Sequence, residues 1–192
     1  MSSSVLYMSM SLDGFITGPD DDVGQGLGRG GERLHAWLGD GDGVAGFRPS
    51  GPSAEIFDEV MATGAVLVGR RTFDLAGRWD GDHHGVPIFV PTRGEPPAPA
   101  SDLVNYVTDG IESAMSQAKR AAGDANVLVH GADVAQSCLR AGLLDELEVH
   151  LIPVLLGAGR PLFGGLAEPT ELELTRVVDA PGVTHLHFRV KA

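Results

Sequence analysis

Two short runs of this sequence have the makings of anion-binding turns. Gly69-Arg70-Arg71-Thr72 follows the apolar run Ala65 to Val68, and Gly131-Ala132-Asp133 follows Val127 to His130. In each, a glycine lets the backbone turn sharply and approach a ligand, and the residues after it open a helix whose first N–H groups are unpaired and carry the positive end of the helix dipole. Arg70 and Arg71 add two permanent cations with paired donors suited to phosphate. Taken singly, either run also fits an ordinary strand-to-helix turn with solvated arginines. Two of them at strand ends, where open α/β sheets bind ligands, point to a dinucleotide.

Other candidate chemistry is weaker. Gly26, Gly28 and Gly31 satisfy G-x-G-x-x-G, but they follow an acidic loop instead of an apolar strand, so the dinucleotide-binding context is missing. Gly157-Ala158-Gly159-Arg160 does follow a strand and is suited to lining a pocket, although Leu162 stands where a third glycine would. His83-His84 with Asp80 and Asp82, and His185 with His187, are two clusters without a metal-ligand spacing, and solvated or packed histidines explain both. The expectation is therefore no metal. No G-x-S-x-G elbow or P-loop occurs, and the lone Cys138 lacks a defined base, so a nucleophilic mechanism has no support.

These runs need elements to hold them. Val5 to Met10 reads as a strand, Ser53 to Thr63 as a helix, Ala65 to Val68 as a buried strand, and a second helix begins near Arg71 and ends before Trp79. Val86 to Val90 and Leu103 to Val107 are strands, Ile111 to Ala122 is a helix, and a further strand and helix run from Asn126 to Ala141. A long strand over Glu146 to Leu156 and a hairpin around Pro181-Gly182 close the chain. This alternation predicts an α/β domain with a mostly parallel sheet and an antiparallel C-terminal hairpin. Between Gly18 and Pro52 lie eleven of the 27 glycines and Asp20-Asp21-Asp22, with one short helical stretch, Glu32 to Leu38; a loop of that length is a lid, a binding loop or a disordered insertion.

Composition narrows the function. With 192 residues the chain fits one domain, 1–192, with a glycine-rich insertion or lid at 18–52. The formal charge of −12 opposes general nucleic-acid binding, so any anion must be captured by a local site. A single cysteine is compatible with a reducing cytoplasm, and no run is apolar enough to suggest a membrane span or signal peptide.

In order along the chain, Ser11-Leu12-Asp13-Gly14-Phe15-Ile16, Val68-Gly69-Arg70-Arg71-Thr72-Phe73, Gly131-Ala132, Gly142-Leu143-Leu144-Asp145-Glu146-Leu147 and Pro153-Val154-Leu155-Leu156-Gly157 resemble the RibD C-terminal-domain family. That resemblance implies a dihydrofolate reductase-like fold, three layers αβα, and an NADPH-dependent reductase acting on a small heterocyclic or carbonyl molecule of pterin or pyrimidine type. It implies that Gly69, Arg70, Arg71 and Thr72 hold the adenosine-side phosphate and that Gly131, Ala132, Asp133 and Val134 line the pyrophosphate. Gly14, Phe15 and Ile16, after Asp13, would approach the nicotinamide, with Leu156 and Gly157 completing the cofactor-facing set. A homodimer through the C-terminal half is implied as well.

The chain departs from riboflavin-pathway members in carrying Tyr7 where they usually have lysine, and its one cysteine cannot supply the ligands of their fused zinc deaminase. Dihydrofolate reductases carry an acid on the helix before the Gly-Arg strand; counting back from Gly69 lands near Ser53, with Glu55 and Asp58 beside it. Asp13, Glu55 and Asp58 are accordingly the candidate acids. A flavin or deazaflavin enzyme on the same fold, or a nucleotide-binding dimer without catalysis, are the competing expectations.

Overall fold

In the computed structural model, which describes residues 2–39, 41, 43–166 and 168–191, one sheet of eight strands organises the chain. The strands are β1 (Ser4–Ser11), β2 (Ala65–Val68), β3 (Ile88–Pro91), β4 (Val104–Val107), β5 (Val127–His130), β6 (Glu146–Ile152), β7 (Leu172–Ala180) and β8 (Val183–Val190). Their order across the sheet is β4-β3-β2-β5-β1-β6-β8-β7. All neighbours from β4 to β6 are parallel, and β8 pairs antiparallel with both β6 and β7. The mostly parallel sheet with an antiparallel C-terminal hairpin, expected from the sequence, is thus what forms.

The helices are α1 (Gly43–Gly46), α2 (Pro52–Met61), α3 (Arg70–Leu75), α4 (Ile111–Ala122) and α5 (Ala132–Arg140). On one face Met115 and Ala118 of α4 and Ala135 and Cys138 of α5 bury against Leu6, Leu67, Val127 and Val129. On the other, Phe73 of α3 and Val60 of α2 close over Val5, Val66, Val68 and Leu128. The short central strands are apolar on both faces because helices cover both, as parallel sheets require.

Three elements depart from their patterns or are fixed by them for a local reason. β6 stops at Ile152 instead of Leu156 because Pro153 has no N–H to continue the ladder. The helix expected to end before Trp79 does so, stopping already at Leu75; after Gly77 (φ 63°), residues Arg78, Trp79 and Asp80 all take left-handed backbone angles (φ 57°, 49° and 50°). A left-handed residue other than glycine costs roughly 1–2 kcal/mol, and this turn brings the Trp79 ring against Phe73 and His130. At the hairpin, Pro181 and Gly182 (φ 79°) sit between the paired residues Ala180 and Val183, as a type II turn needs.

Within the segment 18–52, residues 40 and 42 lie outside the described residues. Gly31–Leu38 forms a 3-10 helix that seats Leu34 (0% exposed) and Leu38 at the edge of the core, with Leu34 packed among Ile152, Ala180 and Val183. Trp37 donates its indole N–H to Ser9 Oγ of β1 at 2.9 Å. This part of the glycine-rich stretch is consequently core-forming, which the sequence pattern did not disclose. Replacement of Leu34 by alanine should lower the unfolding free energy by about 2–5 kcal/mol, the usual range for a buried leucine. Urea denaturation measures it, and a loss below ~0.5 kcal/mol would contradict this packing.

Candidate active site

The carboxyl ends of β2, β5 and β1 lie side by side, since β5 pairs with β2 on one edge and with β1 on the other. Two cavities open over them. The first, about 270 Å³, is lined by Ile16, Thr17, Arg71, Thr72, Asp133 and Arg160 among others. The second, about 260 Å³, is walled by Tyr7, Trp37, Phe47, Phe57, His83 and His150. Met8, His35, Ala76, Trp79 and His130 border both, so the two are halves of one cleft.

The first half is ionic. Arg71 Nη2 pairs with Asp21 Oδ1 at 2.8 Å and also donates to the Asp21 carbonyl at 3.1 Å. Arg160 Nη2 pairs with Asp133 Oδ1. Both arginines and Asp133 are well exposed and only Asp21 is mostly covered, so the pairs are weak and an incoming anion can displace the carboxylates at small cost. Gly131 is fixed by two independent constraints: its φ is 99°, and a Cβ there would collide with Thr72 Oγ1. Its N–H points at Met8 Sδ, 3.3 Å away. Gly69 differs, because its backbone is ordinary extended (φ −64°, ψ 137°) and a Cβ would come no nearer than 3.7 Å to Val134 N. Neither its backbone angles nor the packing of the described residues around it demands glycine at 69.

The expected site residues divide. Ile16, Arg71, Thr72, Ala132 and Asp133 line the first cavity, as does Arg160 of the Gly157 to Arg160 run. Arg70 instead turns to Asp74 (2.6 Å) and lies over the Tyr106 ring, so the arginine pair is split. Val134 is buried in the core and lines neither cavity. Asp13 clamps a loop: its carboxylate accepts from Ser11 Oγ (2.6 Å) and from the N–H groups of Leu156 (3.1 Å) and Gly157 (2.7 Å). The Ser11 hydroxyl and those N–H groups hold its pKa below the ordinary carboxylate value, so it is ionised at neutral pH and cannot serve as a proton donor there. Gly14 (φ 90°) and Phe15 shape that same turn, the Gly14 carbonyl accepting from Leu162 N and Phe15 bridging to Pro161. Glu55 and Asp58 are exposed on α2 and line neither half of the cleft.

Sequence reasoning gave the cleft's histidines no role: His83 reads there as solvated or packed, and His35, His130 and His150 are not among its candidates. His35 comes from the 3-10 helix, His83 from the loop after Gly81, His130 from the end of β5 and His150 from β6, and all four line the second half. Burial holds each of them below the ordinary histidine value of 6.5, at about 4 for His35 and His130 and well below for His83 and His150. His130 Nδ1 is buried without a partner among the described residues. Deeper, His150 and His185 face each other across β6 and β8 with Nδ1 atoms 2.8 Å apart, and His185 Nε2 meets Ser53 Oγ at 3.0 Å. Glu148, His150 and His185 offer donor atoms within 4.8 Å of one another, a set able to hold a divalent cation, although the two histidines use their nitrogens on each other and on Ser53, and Arg176 lies 3.4 Å from Glu148. The one available signal was position: His130 directly precedes the glycine of a strand-end turn.

Residues 4–186 match the model of the RibD C-terminal domain. The chain belongs to that family. It is 25% identical over 189 residues to the uncharacterized protein YwjB of Bacillus subtilis (strain 168), covering 96% of each. Among solved structures, it resembles a Shewanella sp. PV-4 protein named for riboflavin biosynthesis (TM-score 0.75, 22% identity, 99% of each chain). It also resembles a pyrimidine reductase-like protein of Corynebacterium diphtheriae (TM-score 0.63, 13% identity, 100% of this chain and 92% of that one). A third, the Thermotoga maritima diaminohydroxyphosphoribosylaminopyrimidine deaminase/5-amino-6-(5-phosphoribosylamino)uracil reductase, aligns over 99% of this chain and 57% of its own (TM-score 0.65, 14% identity). The fold is accordingly the dihydrofolate reductase-like one of RibD C-terminal reductase domains.

The neutral histidines make stability pH-dependent. When folded, His35 and His130 stay unprotonated down to about pH 4, and burial holds His83 and His150 well below the ordinary value, whereas in the unfolded chain all four take up protons near 6.5. Between those values unfolding binds protons, so stability falls as pH falls. From about pH 7 to about pH 5 the unfolding free energy should drop by roughly 2 kcal/mol for each imidazole that stays neutral. Urea midpoints across that range read it out; a flat profile contradicts the assignment, and His130→Asn should remove one increment.

Proposed function

We propose that this protein is an NADPH-dependent oxidoreductase that reduces a small heterocyclic or carbonyl substrate. The observation carrying this reading is the bipartite cleft: an ionic half built on two strand-end glycine turns meets an aromatic half along Met8, Trp79 and His130. The ionic half suits the phosphates of a dinucleotide, with Arg71 and Arg160 as cations and Gly131 preceding the nine-residue helix α5. When bound, the cofactor supplies a hydride.

The rest of the work falls to the chain. A substrate in the aromatic half, beside a ring at the junction, is brought to near-attack distance, and the walls of Trp37, Phe47, Phe57 and Trp79 exclude water. Reduction of a C=N or C=O bond also takes up a proton. With Asp13 ionised and Glu55 and Asp58 outside, the titratable groups lining the aromatic half are Tyr7 and the histidines, and His130 borders both halves. His130 would orient the reacting group through a ring nitrogen. The relatives named for riboflavin biosynthesis and pyrimidine reduction support a heterocyclic substrate.

Because Arg71 faces the cavity and Arg70 does not, one arginine should govern the preference for a phosphorylated cofactor. Arg71→Ala should weaken NADPH binding at least tenfold, about 1.4 kcal/mol, while changing NADH binding little. Arg70→Ala should leave both within about twofold. Nucleotide fluorescence titrations measure these affinities, and an equal loss for NADPH and NADH in Arg71→Ala would contradict the assignment.

A further inference from the structure

The two halves of the cleft differ in charge as sharply as in shape. Arg71, Asp21, Asp133 and Arg160 border the first. Among the described residues lining the second there is no lysine, arginine, aspartate or glutamate. Its polar atoms come from Tyr7, Ser9, the Trp37 and Trp79 indoles and the four histidines, and burial keeps those imidazoles uncharged at neutral pH. Tyr7 likewise stays protonated, its pKa raised chiefly by burial.

Such a lining selects by cost. An anionic group moved from water into an aromatic cavity loses its hydration and gains a counter-ion only if one is built in; without one the ion is strongly disfavoured. An uncharged ring has no such penalty. It gains apolar burial and edge or face contacts with aromatic walls that are already arranged: Trp37 is held by its N–H bond to Ser9 and lies 4.7 Å from the His150 ring, and Phe47 meets Phe57 edge-on at 6.4 Å. The volume, about 260 Å³, falls just under the usual range for drug-sized ligands and suits one or two fused rings. The Tyr7 hydroxyl and the imidazoles in the wall then favour a ring edge that can hydrogen-bond, because an apolar edge would strip them of water without a replacement partner.

We infer that the second compartment takes an uncharged, flat heterocycle of one or two rings with a hydrogen-bonding edge, and that it rejects phosphorylated or carboxylated counterparts. This specifies the substrate class of the reductase reading above and rests on it for the identity of the compartment.

Quinoxalinone and its carboxylate differ by one anionic group and make a direct test. Each is titrated into the full-length protein, with and without saturating NADP+, while quenching of Trp37 and Trp79 is followed. The uncharged ring should bind at least tenfold more tightly than the carboxylate. Val44→Lys, which sets a cation in the wall, should narrow or reverse that ratio, and Phe57→Lys does the same from α2 should the first variant fail to fold. Equal or tighter binding of the carboxylate by the wild-type protein overturns the proposal, as does binding of neither. NADPH affinity is measured separately by nucleotide fluorescence: loss of cofactor binding with the ring preference retained would sink the reductase reading and leave the compartment's selectivity standing.

Discussion

Parallel pairing of β5 with β2 on one edge and β1 on the other brings three strand ends to one line, and the cleft is built from the turns that leave them. After β2 comes Gly69 and α3, after β5 comes Gly131 and α5, and after β1 comes the Asp13 to Ile16 turn. The chain lays β2, β3 and β4 outward in one direction and then returns to insert β5 between β2 and β1, a reversal of the kind that leaves a crevice in open α/β sheets. The turns must approach closely for this to work. At Gly131 there is no room for a side chain beside Thr72, so the approach of the β2 and β5 turns is set by the absence of one Cβ.

Around that line the protein separates its electrostatics. The mouth carries partly solvated pairs, Arg71 with Asp21 and Arg160 with Asp133, that keep cations in place within a chain of net charge −12. Such pairs contribute little to stability, and this leaves the arginines available to a phosphate. Further in, polar groups are histidines that burial keeps neutral, so the interior avoids the larger cost of buried ions. Asp13 belongs to neither set. Its carboxylate is saturated by a hydroxyl and two N–H groups and ties the β1 turn to the Leu156 and Gly157 loop. Its role is to hold the rim in shape.

The legible part of the fold was the part coded locally. Ala65 to Val68 and Val127 to His130 are four-residue runs ended by glycine, and both form buried parallel strands where expected. The cavity-facing positions of Arg71, Thr72, Ala132 and Asp133 belong to those same turns. The illegible part depends on contacts between distant segments. His35, His83, His130 and His150 come from four separate elements with no common spacing, and only the sheet order gathers them. The different directions of Arg70 and Arg71 depend on Asp74 and Asp21, one a helical turn ahead and the other in the glycine-rich segment. Glu55 and Asp58 were sited by analogy of position, and the exposed face of α2 carries them away from the cleft.

A crystal structure of the protein with NADPH tests the central claim, that one cleft divides into a charged cofactor half and an uncharged substrate half. The account predicts phosphate oxygens on Arg71 and Arg160, displacing Asp21 and Asp133, and the nicotinamide ring at Met8, Trp79 and His130 with the compartment beyond it still open. A nicotinamide ring lodged between Trp37 and His150, or phosphates bound away from both arginines, would contradict it.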